Sequence, residues 1–206
     1  MKSEINILQD KYNLISNIYD IIDFPFEYLR YRNLREIVWK FARGRVLDAG
    51  VGTGRNIDFY PSDGEVIGID LSEGMLKKAR KRADRNNITV DLYKMNILNM
   101  SFPDNYFDTV IATFIFCVLP DSLQIAVLRE IRRVCKKNGE IIILEYTLSQ
   151  KRLRRLWMNA IAPYLEWMFG SGFDRQTSEH IRKENFLILE ETFLIADVIK
   201  LIRIKA

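Results

Sequence analysis

The sequence predicts an α/β fold in which a mostly parallel sheet is wrapped by helices on both faces. Three observations carry this. From Arg45 onward, short β-branched runs alternate with helical patterns, as they do where crossover helices join parallel strands. The first of these runs leads straight into three closely spaced glycines, Gly50, Gly52 and Gly54, and then into helical sequence. The tail differs, because residues 186–191 and 197–204 alternate like two neighbouring strands poised to pair antiparallel.

Taken in order, Leu34, Ile37, Val38 and Phe41 fall at helical spacing and predict a helix ahead of the first strand. The strand candidates are Arg45–Ala49, Glu65–Asp70, 89–95, 109–113 and 140–146, with helices around Asn56, over 72–85 and over 122–136. Ser72 stands where a hydroxyl caps a helix start. Lys137, Asn138 and Gly139 end the later helix and turn the chain into the fifth strand. From Leu153 apolar residues recur at 153, 156, 157, 160, 161, 164, 165 and 168, a helical stripe that Pro163 divides into two shorter helices. Lys151, Arg152, Arg154 and Arg155 accompany it, with Trp157 and Trp167 alongside. Basic residues beside tryptophan and an apolar face describe a helix lying in a lipid interface. A cover helix packed on the sheet with a solvated basic end fits the same pattern. The run from Lys77 to Arg82 reads as a solvated outer face.

The 206 residues suit a single domain, and 48% hydrophobic with 28% charged residues is an ordinary globular balance. A net charge of +4 is too small to imply nucleic acid. Cys117 and Cys135 make neither a metal spacing nor a disulfide framework, which points to a reducing cytoplasm. No apolar signal core and no long apolar run is present, so contact with a membrane would be made from its surface.

The stretch Val46-Leu47-Asp48-Ala49-Gly50-Val51-Gly52-Thr53-Gly54-Arg55 is the most informative. Arg55 stands where a dinucleotide fingerprint of the form GxGxxG needs its third glycine, so that fingerprint fails. The second strand ends in Asp70, about 20 residues beyond Gly50, the spacing at which an acid meets ribose hydroxyls. Read alone, Asp70 also fits an acid that caps the following turn. Together with Leu71-Ser72-Glu73-Gly74-Met75, the pattern resembles the class I, S-adenosylmethionine (SAM)-dependent methyltransferases. Asn96-Ile97 and the Thr113–Asp121 stretch resemble further segments of that family.

The resemblance implies a Rossmann-like sheet with a reversed last strand. It further implies SAM as cofactor, S-adenosyl-L-homocysteine (SAH) as product, and no metal. It assigns Asp48, Gly50, Gly52, Gly54, Asp70, Leu71, Met75, Asn96, Ile97 and Thr113 to the cofactor, with Asn96 standing where most relatives have aspartate. Tyr19, ahead of Asp20, is implied as a lid residue over the cofactor, with Tyr12 second. Within the family the chain looks most like bacterial phosphatidylethanolamine N-methyltransferases and the quinone-ring C-methyltransferases, with thiol methyltransferases more distant. That likeness rests on Gly50–Gly54, 112–117, Leu144-Glu145 and 172–177, although Tyr146 stands where relatives usually have histidine. The expected acceptor is a small molecule or a lipid, with phospholipid N-methylation first.

Tyr19, Glu145 and Arg175 are the catalytic candidates. Glu145, at a strand's carboxyl end, serves as an anchor or base, or is only a structural acid; Arg175 holds an acceptor phosphate, or only a surface ion pair. Cys117 lacks a histidine partner and reads as a buried thiol, and His180 as a core or surface residue. The expected organisation is a helical lid over 1–43, a SAM-binding core over 44–146, and acceptor-side helices with the terminal strand pair over 147–206. The expected location is the cytoplasm, peripheral on an anionic membrane face.

Overall fold

The computed structural model describes residues 6–7, 9–14, 31–62 and 64–206. Seven strands form one sheet: β1 (Arg45–Ala49), β2 (Glu65–Asp70), β3 (Asp91–Lys94), β4 (Phe107–Thr113), β5 (Cys135–Tyr146), β6 (Leu187–Ile195) and β7 (Ile199–Lys205). Their order is β3-β2-β1-β4-β5-β7-β6. The first five run parallel, and β7 lies antiparallel to both β5 and β6, so the sheet closes on the reversed strand that the tail predicts. Among the described residues, a helical segment spans 9–14, and the helices after it are α1 (Arg32–Trp39), α2 (Glu73–Asn86), α3 (Asp121–Val134), α4 (Arg152–Phe169) and α5 (Thr177–Lys183).

The central strands are apolar along their length because both faces are covered. Alternation along each strand sends Leu47, Val110 and Ile141 into one core with Leu128 and Ile131 of α3. Val46, Ile111 and Ile142 go to the other face, against Leu34, Val38 and Trp39 of α1. Across the reversed strand, Arg203 donates to Glu190 at 3.0 Å and to Glu140 at 2.9 Å, tying β6, β7 and β5 together. Ser72 caps α2 as its sequence predicts, accepting from the Met75 N–H at 3.2 Å.

Several elements differ from the sequence reading, β4 starting already at Phe107 and β6 running on to Ile195. The helix around Asn56 is only a 3₁₀ turn, Ile57–Phe59, and the third strand covers Asp91–Lys94 rather than 89–95. The helix expected to reach Lys136 stops at Val134, because the carbonyls of Arg133 and Val134 accept from the N–H groups of Asn105 and Tyr106. Cys135 then already pairs with Phe107, and the register shifts before Glu140 meets Thr109, so Lys137-Asn138-Gly139 lies within β5. Finally, α4 is one continuous helix through Pro163. Proline withdraws one N–H from the ladder, and the turns on either side keep theirs.

α4 is also placed unusually. Leu153 is 83% exposed, Trp157 63% and Trp167 75%, whereas Met158, off the apolar stripe, is buried. Its start is anchored instead: Arg154 ion-pairs with Asp197, and Arg155 donates to the Ser149 carbonyl at 2.9 Å. Among the described residues no helix is long and apolar enough to cross a membrane.

Because Pro163 is exposed in mid-helix, Pro163→Ala restores a backbone donor and removes the ring's clash with the preceding turn. Its melting midpoint should rise, corresponding to about 1–3 kcal/mol. A lowered midpoint in a thermal scan would contradict this view of the helix.

Candidate active site

In the strand order β3-β2-β1-β4 the chain first moves outward from β1 to β3 and then returns to β4, so β1 and β4 flank the switch point where such sheets bind ligands. A pocket opens there. Gly50–Thr53 follow β1, Asp70–Ser72 follow β2 and Thr113–Ile115 follow β4, and all line it. Two backbone donors, the N–H groups of Gly50 and Val51, share the Ile69 carbonyl at 2.9 Å each. Asp70 then spans the two loops: its Oδ2 accepts from Gly52 N–H at 2.9 Å and its Oδ1 from Ser72 N–H at 2.8 Å. Burial pushes this carboxyl up, while those backbone donors pull it down.

The glycines divide into two kinds. Gly52 has φ +55° and open space where a Cβ would point, so the loop leaves a bare backbone cradle facing the pocket. Gly54 has φ +82°, and a Cβ there would meet Ala79 Cα at 2.9 Å; its backbone packs against α2 and does not line the pocket.

Behind the loop lies a buried polar network. Asp48 accepts from Asn56 Nδ2 at 2.9 and 3.0 Å and from the Tyr60 hydroxyl at 2.7 Å. Burial pushes Asp48 up to about 6, opposed by these hydrogen bonds and by the Arg35 charge. Arg35 reaches in from α1, donating to Asn56 Oδ1 at 2.7 Å and to Thr113 Oγ1 at 3.0 Å. Asp48 therefore supports the site from behind instead of lining it.

Of the residues the resemblance assigns to the cofactor, Gly50, Gly52, Asp70, Leu71, Met75, Asn96, Ile97 and Thr113 line the pocket together. The Asn96 side-chain oxygen accepts from Leu98 N–H at 2.9 Å, a local turn that fixes its orientation. Tyr19 lies outside the described residues. Tyr12 and Gln9, on a helical segment spanning residues 9–14, line the pocket, and Asn13 on the same segment accepts from Ser72 Oγ at 2.6 Å. Arg35 and Arg55 also line it, and the sequence reading assigned neither to the site. A signal for Arg35 exists, since it shares the buried face of α1 with Val38 and Trp39 at i+3 and i+4. The remaining wall is apolar, from Phe114, Ile115, Val118 and Leu119. Phe114 takes φ +57°, costly for a bulky residue, and its ring lies 5.2 Å from those of both Tyr31 and Tyr146.

The acceptor-side candidates fall elsewhere. Glu145 is 2% exposed beneath α5 and does not line the pocket. Its Oε2 meets Thr177 Oγ1 at 2.8 Å, and Thr177 Oγ1 also meets Gln124 Oε1 at 2.9 Å. One threonine proton cannot serve both oxygens, and a neutral Glu145 supplies the second. Burial pushes Glu145 up to about 7 in agreement with that count. His180 is buried beside the same Gln124, its Nδ1 3.3 Å from Oε1. Arg175 lies outside the pocket lining too, within 3.5 Å of Asp174. Burial pushes the Cys117 thiol up to about 12, so it is no nucleophile at neutral pH. Among the described residues no cluster of His, Cys, Asp and Glu has the makings of a metal site.

Glu145 gives a testable pH signature. Unfolded, a glutamate titrates near about 4.3, so between that pH and about 7 the folded state holds a proton that the unfolded chain releases. This contribution to stability is complete below about pH 4.3 and is lost as pH rises to and through 7, by about 3–4 kcal/mol in all. Glu145→Gln should melt like wild type at pH 5 and above it at pH 8. Parallel melting curves at both pH values would mean that Glu145 is ionised in the folded protein.

Known proteins are similar to this chain in sequence and in architecture. A family model described as "Methyltransferase domain" matches residues 46–139. The phosphatidylethanolamine N-methyltransferase of Cereibacter sphaeroides is 34% identical over 141 residues, covering 66% of this chain and 68% of that protein. The demethylmenaquinone methyltransferase of Listeria welshimeri is 36% identical over 121 residues, and the match spans 57% of this chain but half of that relative. Among solved structures, magnesium protoporphyrin IX methyltransferase from Synechocystis PCC 6803, with bound SAH, superposes with a TM-score of 0.75. It covers 98% of this chain and all of that one at 15% identity, a likeness of fold. The glycine cradle, the bridging Asp70 and these relatives agree: the chain belongs to the SAM-dependent methyltransferases.

Proposed function

We propose that the protein transfers the methyl group of SAM to the amine of a phosphatidylethanolamine-type lipid, working at an anionic membrane surface. The observation that carries this reading is α4, whose tryptophans and leucines face solvent beside a basic start. Lys11 donates to the Glu166 carbonyl of α4 at 2.6 Å, on the helical segment whose Tyr12 lines the pocket, so the exposed helix adjoins the pocket's entrance. The Cereibacter relative adds support through its name alone.

In this reading SAM, when bound, supplies an electrophilic methyl on a sulfonium. Asp70 takes the ribose hydroxyls, Leu71, Met75, Asn96 and Ile97 take the adenosine, and the Gly50–Gly52 backbone takes the chain between. Asp48 and Gly54 hold the loop from behind. Phe114, Ile115, Val118 and Leu119 keep the transfer side dry, and alignment of donor and acceptor contributes about 7–11 kcal/mol. Tyr19 remains a proposed lid residue and Arg175 a proposed phosphate partner. Glu145, buried under α5 and away from the pocket lining, steadies α5 rather than acting as base. Residues 1–43 serve as lid, 44–146 as cofactor core and 147–206 as acceptor side of one domain, in the cytoplasm. The apolar wall and the Listeria relative favour a second reading, methylation of a quinone-precursor ring.

Labelled SAM and vesicles containing phosphatidylethanolamine and an anionic lipid test the first reading. The label should enter monomethylated lipid, and the protein should pellet with the vesicles at low salt. Lys151→Glu with Arg152→Glu should release it, since each basic residue at such a surface is worth roughly 1 kcal/mol. Label that enters only a quinone precursor, with no pelleting, would replace the lipid by the ring.

A further inference from the structure

The apolar wall that follows β4 is held from behind by one side chain. Phe114, Ile115, Val118 and Leu119 line the pocket, while Phe116 and Cys117 between them are buried. Gln124 of α3, fully buried, donates from Nε2 to the Phe116 carbonyl at 3.0 Å and to the Leu119 carbonyl at 3.4 Å. Carbonyls only accept, so they fix which end of the amide faces the wall, and both amide protons are engaged there. The Gln124 Oε1 is thereby turned to α5, where Thr177 Oγ1 lies at 2.9 Å and His180 Nδ1 at 3.3 Å. Thr177 in turn meets Glu145 of β5 at 2.8 Å. A second tie comes from the chain just before α5, where the Gly172 N–H donates to the Cys117 carbonyl at 2.8 Å. Glu145 and residues 172–177, which the motifs single out, do not line the pocket. They reach it through the wall, Gly172 directly and Thr177 through Gln124.

We propose that Gln124 is a positioning residue for the methyl acceptor: by holding the Phe116 and Leu119 carbonyls it shapes the surface against which the acceptor lies. This rests on the reading above that the wall forms the transfer side of the pocket. A buried carbonyl that loses its donor must find another, so without the amide the turn over 116–119 shifts or opens. The wall's apolar side chains move with it, and the acceptor loses its fit. The ties at Gly52 and Ser72 run through Asp70 and share no residue with this clamp, so the cofactor's end of the pocket stays as it is.

Gln124→Met keeps the length of the side chain and removes the amide. Its KM is measured with phosphatidylethanolamine in vesicles and with a quinone precursor, on whichever takes the label from wild type. That KM should rise roughly 10-fold, the worth of about one hydrogen bond, with kcat and calorimetric SAM affinity within about twofold of wild type. A merely structural role would lower the folded fraction, and hence kcat, and leave KM alone. Hydrogen exchange with SAH bound needs no acceptor. It should quicken at Val118 and Leu119, whose N–H groups bond the Ile115 carbonyl, and stay unchanged at Gly52 and Ser72. If Gln124→Met fails to fold, Thr177→Val, which removes the hydroxyl facing the amide oxygen, carries the test. Thr177→Ser, which keeps that hydroxyl, should keep the wild-type KM. An unchanged KM, unchanged exchange at Val118 and Leu119, or SAM affinity that falls alongside would overturn the inference and leave the acceptor reading standing. Label from wild type that enters only the quinone precursor would overturn the lipid alone. Wild type that labels neither probe would overturn both acceptor readings and this inference with them.

Discussion

One carboxylate joins the two loops on which the site is built. Asp70 holds the backbone of Gly52 with one oxygen and that of Ser72 with the other. Remove it, and the glycine loop after β1 loses its side-chain bridge to the start of α2, keeping only the Gly50 and Val51 bonds to the Ile69 carbonyl and the packing of Gly54 on Ala79. The Ser72 cap on α2 and the contact of Ser72 with Asn13 both lie next to that tie, so the helical segment bearing Tyr12 is registered through it as well. The interaction couples local chain geometry to the pocket's shape: β1 and β2 end side by side, Ala49 opposite Ile69, and their exits diverge around this acid.

The pocket has two chemistries at its ends. Towards α1, polar side chains are locked in a buried network running from Arg35 through Asn56 to Asp48 and Tyr60. Such a network is costly unless every member is paired, and once paired it is rigid. Towards the β4 exit, aromatic and aliphatic side chains exclude water around the strained Phe114. Hydrogen-bonded polar groups at one end and an apolar wall at the other therefore divide the pocket lining between them. The exposed stripe of α4 extends that apolar character to the surface.

The parallel core was legible because its strands are β-branched and buried on both faces, and the reversed tail because 186–191 and 197–204 alternate, although the strands themselves run over Leu187–Ile195 and Ile199–Lys205. Asp70 and the glycine loop were legible because their spacing is local. What escaped is long-range or context-dependent. Arg35 lies 78 residues from Thr113, and no local pattern announces that pairing. Asp48 and Gly54 belong to the motif, but a motif does not say which of its residues face a ligand and which face a helix. Glu145 looked like a strand-end acid near a ligand until α5 was seen to cover it with Thr177. Pro163 was read as a break, although a single lost backbone bond does not stop an 18-residue helix.

The central claim is that Asp70 both closes the site and receives the cofactor's ribose. Calorimetric titration of SAH into wild type and Asp70→Asn addresses it directly. Asparagine keeps the shape and an acceptor oxygen but loses the charge, so the unliganded fold should melt within a few degrees of wild type. SAH affinity should fall by roughly 10- to 100-fold, the worth of charged hydrogen bonds. An affinity within twofold of wild type, with the fold intact, would contradict the account.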